Sequence, residues 1–383
     1  MTFFERFLSG IGIIDITIPQ IIMILIAGLL MYLAIVKKYE PLLLLPIAFG
    51  MMIVNLPMPA ILGLPGFSAH DEGSLFYFLY QGIELGIYPP LIFLCLGAAT
   101  DFGPLISSPK SALIGIGGQL GIFVAFGGAL LLGPLLGLEF SVAEAAAIGK
   151  IGSSDGPTTI FIADSLAPDL LPIIAIAAYS YMALVPIIQP PIMRLLTTAK
   201  ERVVVMPDPK PVSQKAKIIF PIALTLITLL LVPAAGSLIF MLMLGNLIKE
   251  SGVTERYVRS LQIHLLNILT LLIGVSIGAT ATADRILNLK TLVIIGLGLI
   301  AFAFGTVGGV LIAKILCKVT GGKVNPLIGN SAVSAMPMAA RVSQKMGQKY
   351  NPQNHLLIHA MGPIVSSTIA SAIVAGIFIA LFG

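Results

Sequence analysis

Tryptophan is absent from the 383 residues, cysteine occurs twice, histidine four times, and only 10% of the chain is charged. Each scarcity removes a class of protein. Cys95 and Cys317 both lie in apolar stretches, which argues against a disulfide framework and against a cysteine metal site. Missing tryptophan thins the aromatic belt that usually marks a membrane interface. The net charge of +5 is modest and sits mainly in short loops, a pattern of membrane orientation and not of nucleic-acid binding. What is abundant is hydrocarbon, with 57% of the residues hydrophobic. At roughly 20 residues per crossing the chain has room for about ten spans and for no cofactor-binding globular domain. The expectation is an all-α polytopic membrane protein, one membrane domain over 1–383, in the cell (inner) membrane among lipid. The opening MTFFERFLSGIGI has Arg6 as its one basic residue and no evident cleavage site, so it is expected to form an amphipathic helix that is retained.

Apolar runs cover 18–36, 41–57, 87–106, 111–136, 168–188, 218–247, 261–282, 291–316 and 355–382. Two more, 142–165 and 325–345, are interrupted by Gly, Ser and Pro. The loop from Gln189 to Lys217 carries Arg194, Lys200, Arg202, Lys210, Lys215 and Lys217 against Glu201 and Asp208, which places it in the cytoplasm with Lys37 and Lys38. Pro57 to Gly86 has Asp71, Glu72 and Glu84 but no Lys or Arg, and suits the outer face. With these anchors the orientation closes only if 142–165 enters and leaves on the outer side and 325–345 on the cytoplasmic side. Both then form re-entrant broken-helix hairpins. The 218–247 run must cross twice, turning near Pro233 and Gly236.

An offset of 181 residues superimposes Gly97 on Gly278, Gly115 on Gly296, Gly117 on Gly298, Phe123 on Phe304, and Gly127 with Gly128 on Gly308 with Gly309. The positive-inside count sends 111–136 outward and its match 291–316 inward. The pattern therefore predicts inverted repeats over 87–188 and 261–382, each ending in its own hairpin.

Asp155, in AAAIGKIGSSDGPTTIFI, is the residue on which function turns. A carboxylate in hydrocarbon costs several kcal/mol unless compensated, and irregular backbone survives at that depth only where it lines a cavity or is buried in protein. Around it the first hairpin offers Ser153, Ser154, Thr158 and Thr159; the second offers Asn325, Asn330, Ser331 and Ser334 around Gly329, Pro326 and Pro337. One carboxylate among many neutral oxygens suits a monovalent cation better than calcium. Asp101 reads as a loop or capping residue, and His359 as structural.

SDGPT, the following YSYMALVPIIQPPIM (Tyr179 to Met193), NPLIG (Asn325 to Gly329), VSAMPMAARVS (Val333 to Ser343) and HAMGP (His359 to Pro363) occur in the order that resembles the β-subunit of sodium-pumping biotin-dependent decarboxylases. The resemblance covers nearly the whole chain and embraces the oxaloacetate, methylmalonyl-CoA and glutaconyl-CoA decarboxylases. It implies decarboxylation of carboxybiotin coupled to Na+ export with consumption of a proton. It also implies biotin-carrier and carboxyltransferase subunits, a small membrane subunit, and a homo-oligomer within the complex. By position it makes Asp155, Asn325 and Gly329 sodium-site residues, gives Tyr181 and Ser334 a second ion site or proton transfer, and has Arg341 receive the biotin carboxylate. A guanidinium fork suits that last role. Three positions depart from the pattern: Ile364 replaces a common Asn, with Ser366 and Ser367 nearby; Lys150 replaces an apolar residue; and GSSDG replaces GGADG. Lys150 beside Asp155 either pairs with it, takes a cation's place or snorkels to an interface. The alternative reading is a Na+- or H+-coupled carboxylate transporter or cation antiporter, which uses the same hairpins without chemistry.

Overall fold

The computed structural model describes residues 16–57, 68–336 and 338–383; the segment expected to form the opening amphipathic helix, and Pro337, lie outside them. Helix α1, Ile18–Ile35, starts at a capping box in which Thr17 and Gln20 satisfy each other's amides, and α2, Pro41–Val54, starts at a proline. Large apolar side chains such as Ile18, Leu25 and Leu29 stay exposed on α1, as lipid-facing positions do. Among the described residues six helices are long and apolar enough to cross a membrane, or eight if each of two bent pairs is one span.

The first bent pair revises the reading of 57–106. Leu75–Glu84 (α3) is a helix, capped by Ser74, where a loop was expected, and it meets α4, Tyr88–Ala99, at 67°. Gly86, at φ +63°, permits the break between them. Helix α4 stops at Ala99, short of the expected 106, and Asp101 then accepts the Gly103 amide at 2.9 Å in a turn.

Ser111–Gly118 (α5) and Leu120–Leu135 (α6) form one run interrupted at Gln119. The first broken segment is α7, Val142–Gly149, followed by α8, Gly156–Leu166. Helix α9, Leu171–Leu196, is bent by 63° near its middle and runs beyond the predicted end at 188. Gln189 is therefore not a loop residue. It is wholly buried, because hydrogen bonds to the second hairpin hold it in the helix. The 218–247 run divides into α10, Gln214–Leu231, and α11, Gly236–Glu250, around a turn at Pro233–Ala235. Next come α12, Glu255–Thr280, and α13, Leu289–Val319. The chain ends with α14, Met338–Tyr350, and α15, Leu357–Phe382.

Helix α13 is the mast against which both broken segments pack. Near its start Lys290 pairs with Glu144 of α7 at 2.6 Å; toward its end Lys314 donates to the Leu196 carbonyl at 2.9 Å and lies 3.6 Å from Glu201. Glycine makes the approach possible. A Cβ on Gly309 would collide with the Gly329 carbonyl and Ala332, and one on Gly118 with the Ala332 carbonyl. Gly152 is similarly pressed against Gly121. Backbones at this separation leave no room for a side chain, as in other small-residue membrane crossings.

Candidate ion site at the hairpin tips

The first hairpin begins with a capping box, Ser141 and Glu144, at the Lys290 end of α13. Helix α7 tightens into a 3-10 turn over Lys150–Ser153, and Ser154 then adopts the left-handed conformation at φ +51°, ψ +38°. That conformation costs a non-glycine residue about 1 kcal/mol or more and turns the chain so that Asp155 starts α8 in extended geometry. Asp155 does not use its carboxylate as a helix cap. Its carbonyl takes the Thr159 amide at 3.0 Å and the Thr159 and Thr158 hydroxyls at 2.7 and 3.1 Å, while Oδ2, buried, has no hydrogen-bond partner. Ser154 Oγ beside it is also buried and unpartnered.

Lys150 is fully buried in the same tip. Its Nζ donates to Ser153 Oγ at 3.0 Å and to Ser371 Oγ of α15, and Ser371 Oγ lies 3.0 Å from Thr158 Oγ1. No ion pair within 4.0 Å joins Lys150 to Asp155, though each feels the other's charge. Tyr179 closes the far side, its ring resting where a Cβ on Gly156 would be and its phenol facing the Asp155 charge. Snorkelling to an interface is thus excluded for Lys150 in this conformation.

The second hairpin begins at the opposite end of α13. Asn325 accepts the Leu327 amide at 3.0 Å and donates to the carbonyls of Arg202 and Val204, which ties the hairpin to the basic loop. A 3-10 run over Pro326–Ala332 then climbs along α13 to Ser334. Here the tips touch: the Ser334 amide donates to the Ser153 carbonyl at 3.0 Å. Ser334 Oγ donates to Ser367 Oγ at 3.1 Å, and Gln119, at the break between α5 and α6, reaches Ser367 Oγ at 3.2 Å with its own Oε1 unpartnered.

The structure therefore brings Asp155 and Ser334 to the meeting of the tips and distributes the other sequence candidates around it. Asn325 has its amide committed to backbone at the base of the second hairpin, and Gly329 is a contact point with Gly309. Tyr181 donates its hydroxyl to the Ile295 carbonyl on α13. Arg341 is exposed on α14, on the same side as Glu40. There burial raises the Glu40 carboxyl above its ordinary range, against the opposing pull of Arg341. Ile364 is buried; of the two serines beside it, Ser367 faces the tip and Ser366 bonds back to the Pro363 carbonyl at 2.9 Å.

Tyr179, Gln119, Ser371 and Gln189 escaped the sequence reading. Their signal is faint: a polar residue in an apolar helix, worth notice because hydrocarbon offers it no water. Among the described residues no group of three or more His, Cys, Asp or Glu side chains converges. The tips present hydroxyls, carbonyls and one carboxylate, the hard oxygen set that an alkali cation accepts.

The profile of the family described as the Na+-transporting oxaloacetate decarboxylase beta subunit matches residues 19–382. The chain is 50% identical to the methylmalonyl-CoA decarboxylase subunit beta of Propionigenium modestum, over 98% of each chain. It is 49% identical to the glutaconyl-CoA decarboxylase subunit beta of Acidaminococcus fermentans, over 97% of this chain and 96% of the relative. With the oxaloacetate decarboxylase beta chain 2 of Salmonella typhi it shares 44% identity over 97% of each. A carboxylate and converging hydroxyls buried in a multi-pass membrane protein, carried on a sequence matched from end to end, make this chain a member of the family of beta subunits of Na+-transporting decarboxylases.

Proposed function

We propose that this chain decarboxylates carboxybiotin delivered by a biotin-carrier subunit and uses the reaction to export Na+. Carboxyltransferase and small membrane subunits would complete the complex. In the reaction the N–CO2 bond breaks, its electron pair stays on the ring nitrogen, that nitrogen takes up a proton, and CO2 leaves. The observation that carries the reading is Asp155: a buried carboxylate oxygen without a partner at the meeting of two broken hairpins. Asp155 and the hydroxyls around it would hold Na+, with Ser334 linking ion occupancy to the second hairpin. Asn325 and Gly329 would set the shape of that hairpin, and Tyr181 would anchor α9 to α13. Arg341, exposed on α14, would receive the carboxylate of the incoming carboxybiotin. The regions 87–188 and 261–382 would act as inverted repeats, moving together against the remaining helices. An apolar crevice of about 1030 Å³, lined by Leu120, Ile312 and Ile369 on one side and Phe220 and Leu224 of α10 on the other, offers room for such sliding.

Each elementary charge moved outward against 100 mV costs about 2.3 kcal/mol, so electrical work limits the ions carried per decarboxylation. The test uses proteoliposomes containing the whole complex. Decarboxylation should drive sodium uptake into inverted vesicles, and Asp155→Asn should abolish it. Uptake that persists in Asp155→Asn overturns the assignment of the ion site. Carboxylate exchange by the chain alone, without decarboxylation, would establish the transporter reading instead.

A further inference from the structure

Among the described residues no lysine or arginine other than Lys150 is buried, and its ammonium is placed among the oxygens expected to serve the transported ion. We propose that Lys150 is a tethered cation that occupies the Asp155 site between transport events, so that Na+ binds by displacing Nζ. The inference rests on the reading of Asp155 as the ion-site carboxylate and goes beyond it by assigning what holds the site when sodium is elsewhere.

An ammonium is monovalent and needs acceptors for its three N–H bonds, a demand close to that of an alkali ion for oxygen ligands. Ser153 and Ser371 accept from Nζ, and Thr158 Oγ1 stands 3.0 Å from Ser371 Oγ. The Asp155 carboxylate balances the charge from beyond ion-pair distance, and both its Oδ2 and Ser154 Oγ keep unspent lone pairs. Two unlike charges make the tip neutral overall. Adding Na+ with Nζ still in place would leave surplus positive charge in hydrocarbon, which is the costly arrangement. Withdrawal of Nζ on its flexible four-carbon stem opens the oxygens that Na+ then takes. The ion-free site is neutral as ammonium and carboxylate, and the loaded site is neutral as Na+ and carboxylate, because the displaced ammonium takes its charge away from those oxygens. Lys150 thus sets sodium affinity.

The test measures equilibrium binding of radioactive sodium to the purified intact complex, and its thermal melting in sodium against choline. Lys150→Met keeps the volume and removes the charge. It should tighten Na+ binding about tenfold or more, equivalent to about 1.4 kcal/mol, and make melting strongly sodium-dependent. Ser371→Ala, which removes an oxygen that Nζ and Na+ would share, should weaken Na+ binding severalfold. A folded Lys150→Met complex with unchanged or weaker sodium affinity overturns the proposal. Should that variant fail to fold in either salt, Ser371→Ala decides, and unchanged affinity there overturns it. Asp155→Asn separates the two levels. If it abolishes sodium binding while Lys150→Met changes nothing, only the tethered cation fails; if it leaves sodium binding intact, the reading of Asp155 fails as well.

Discussion

The two hairpins meet at one hydrogen bond, from the Ser334 amide to the Ser153 carbonyl, yet they satisfy their polar groups in opposite ways. The second hairpin is closed. Asn330 exchanges hydrogen bonds with Gln189, donates to the Ala339 carbonyl at 2.9 Å and accepts from Ser343, while Asn325 is bonded to backbone on three sides. The first hairpin is open: Asp155 Oδ2 and Ser154 Oγ are buried without partners, and a lysine stands among the hydroxyls. A buried polar group left unpaired costs about 1–3 kcal/mol, more when charged, so the asymmetry is a place where stability has been given up. On the proposed reading of Asp155, one hairpin positions and the other binds.

Three variants would break or sharpen this contrast. The largest effect is expected for Gly309→Ala, whose Cβ would meet the Gly329 carbonyl and the Ala332 side chain, neither of which has room to yield. A loss of about 3 kcal/mol of stability should follow, seen as a lower melting temperature of the detergent-solubilised complex. If melting is unchanged, the second hairpin is not held rigidly against α13. Next is Gln189→Leu, which strips Asn330 of its buried amide partner. It should cost about 1–3 kcal/mol in melting while leaving sodium affinity intact. The reverse result, normal melting with lost sodium binding, would move the ion site to the second hairpin and dissolve the division of labour.

The smallest effect concerns the basic loop to which Asn325 is tied. Burial pushes the Glu201 carboxyl up, but the Thr198 amide and hydroxyl and Lys314 outweigh it and hold the group below its ordinary 4.5. A carboxylate depressed by folding adds stability above 4.5 and loses it as the pH falls through the lower folded value. Glu201→Gln should therefore flatten the acid limb of a stability profile by about 0.5 kcal/mol, without touching sodium binding. An acid limb of the same depth in the variant would assign it to other carboxylates.

Much of this was legible in the residues. Composition demanded a membrane protein, Pro233 and Gly236 marked the turn between α10 and α11, and the apolar flanks of Asp155 singled it out. The errors have a common origin. Leu75–Glu84 is a short apolar helix masked by its acidic flanks, and Gln189 lies inside a helix although Pro190 and Pro191 follow it. In α9 the neighbouring helices keep those prolines inside a helix that sequence rules would have ended. Ile364, where the family pattern has Asn, is buried, and Gln119 from another helix brings a side-chain amide to Ser367 Oγ at 3.2 Å.

By itself the sequence determined the class, the broken segments and the carboxylate, because apolar length and the cost of a buried charge are properties of residues and not of their neighbours. Only tertiary structure decided which oxygens surround that carboxylate. It brought Ser371 from α15 to Lys150, set Tyr179 rather than Tyr181 against Asp155, and took the Asn325 side chain for the backbone of the basic loop. Those choices depend on how closely glycine lets helices approach, and so on pairs of segments that no single stretch of chain contains.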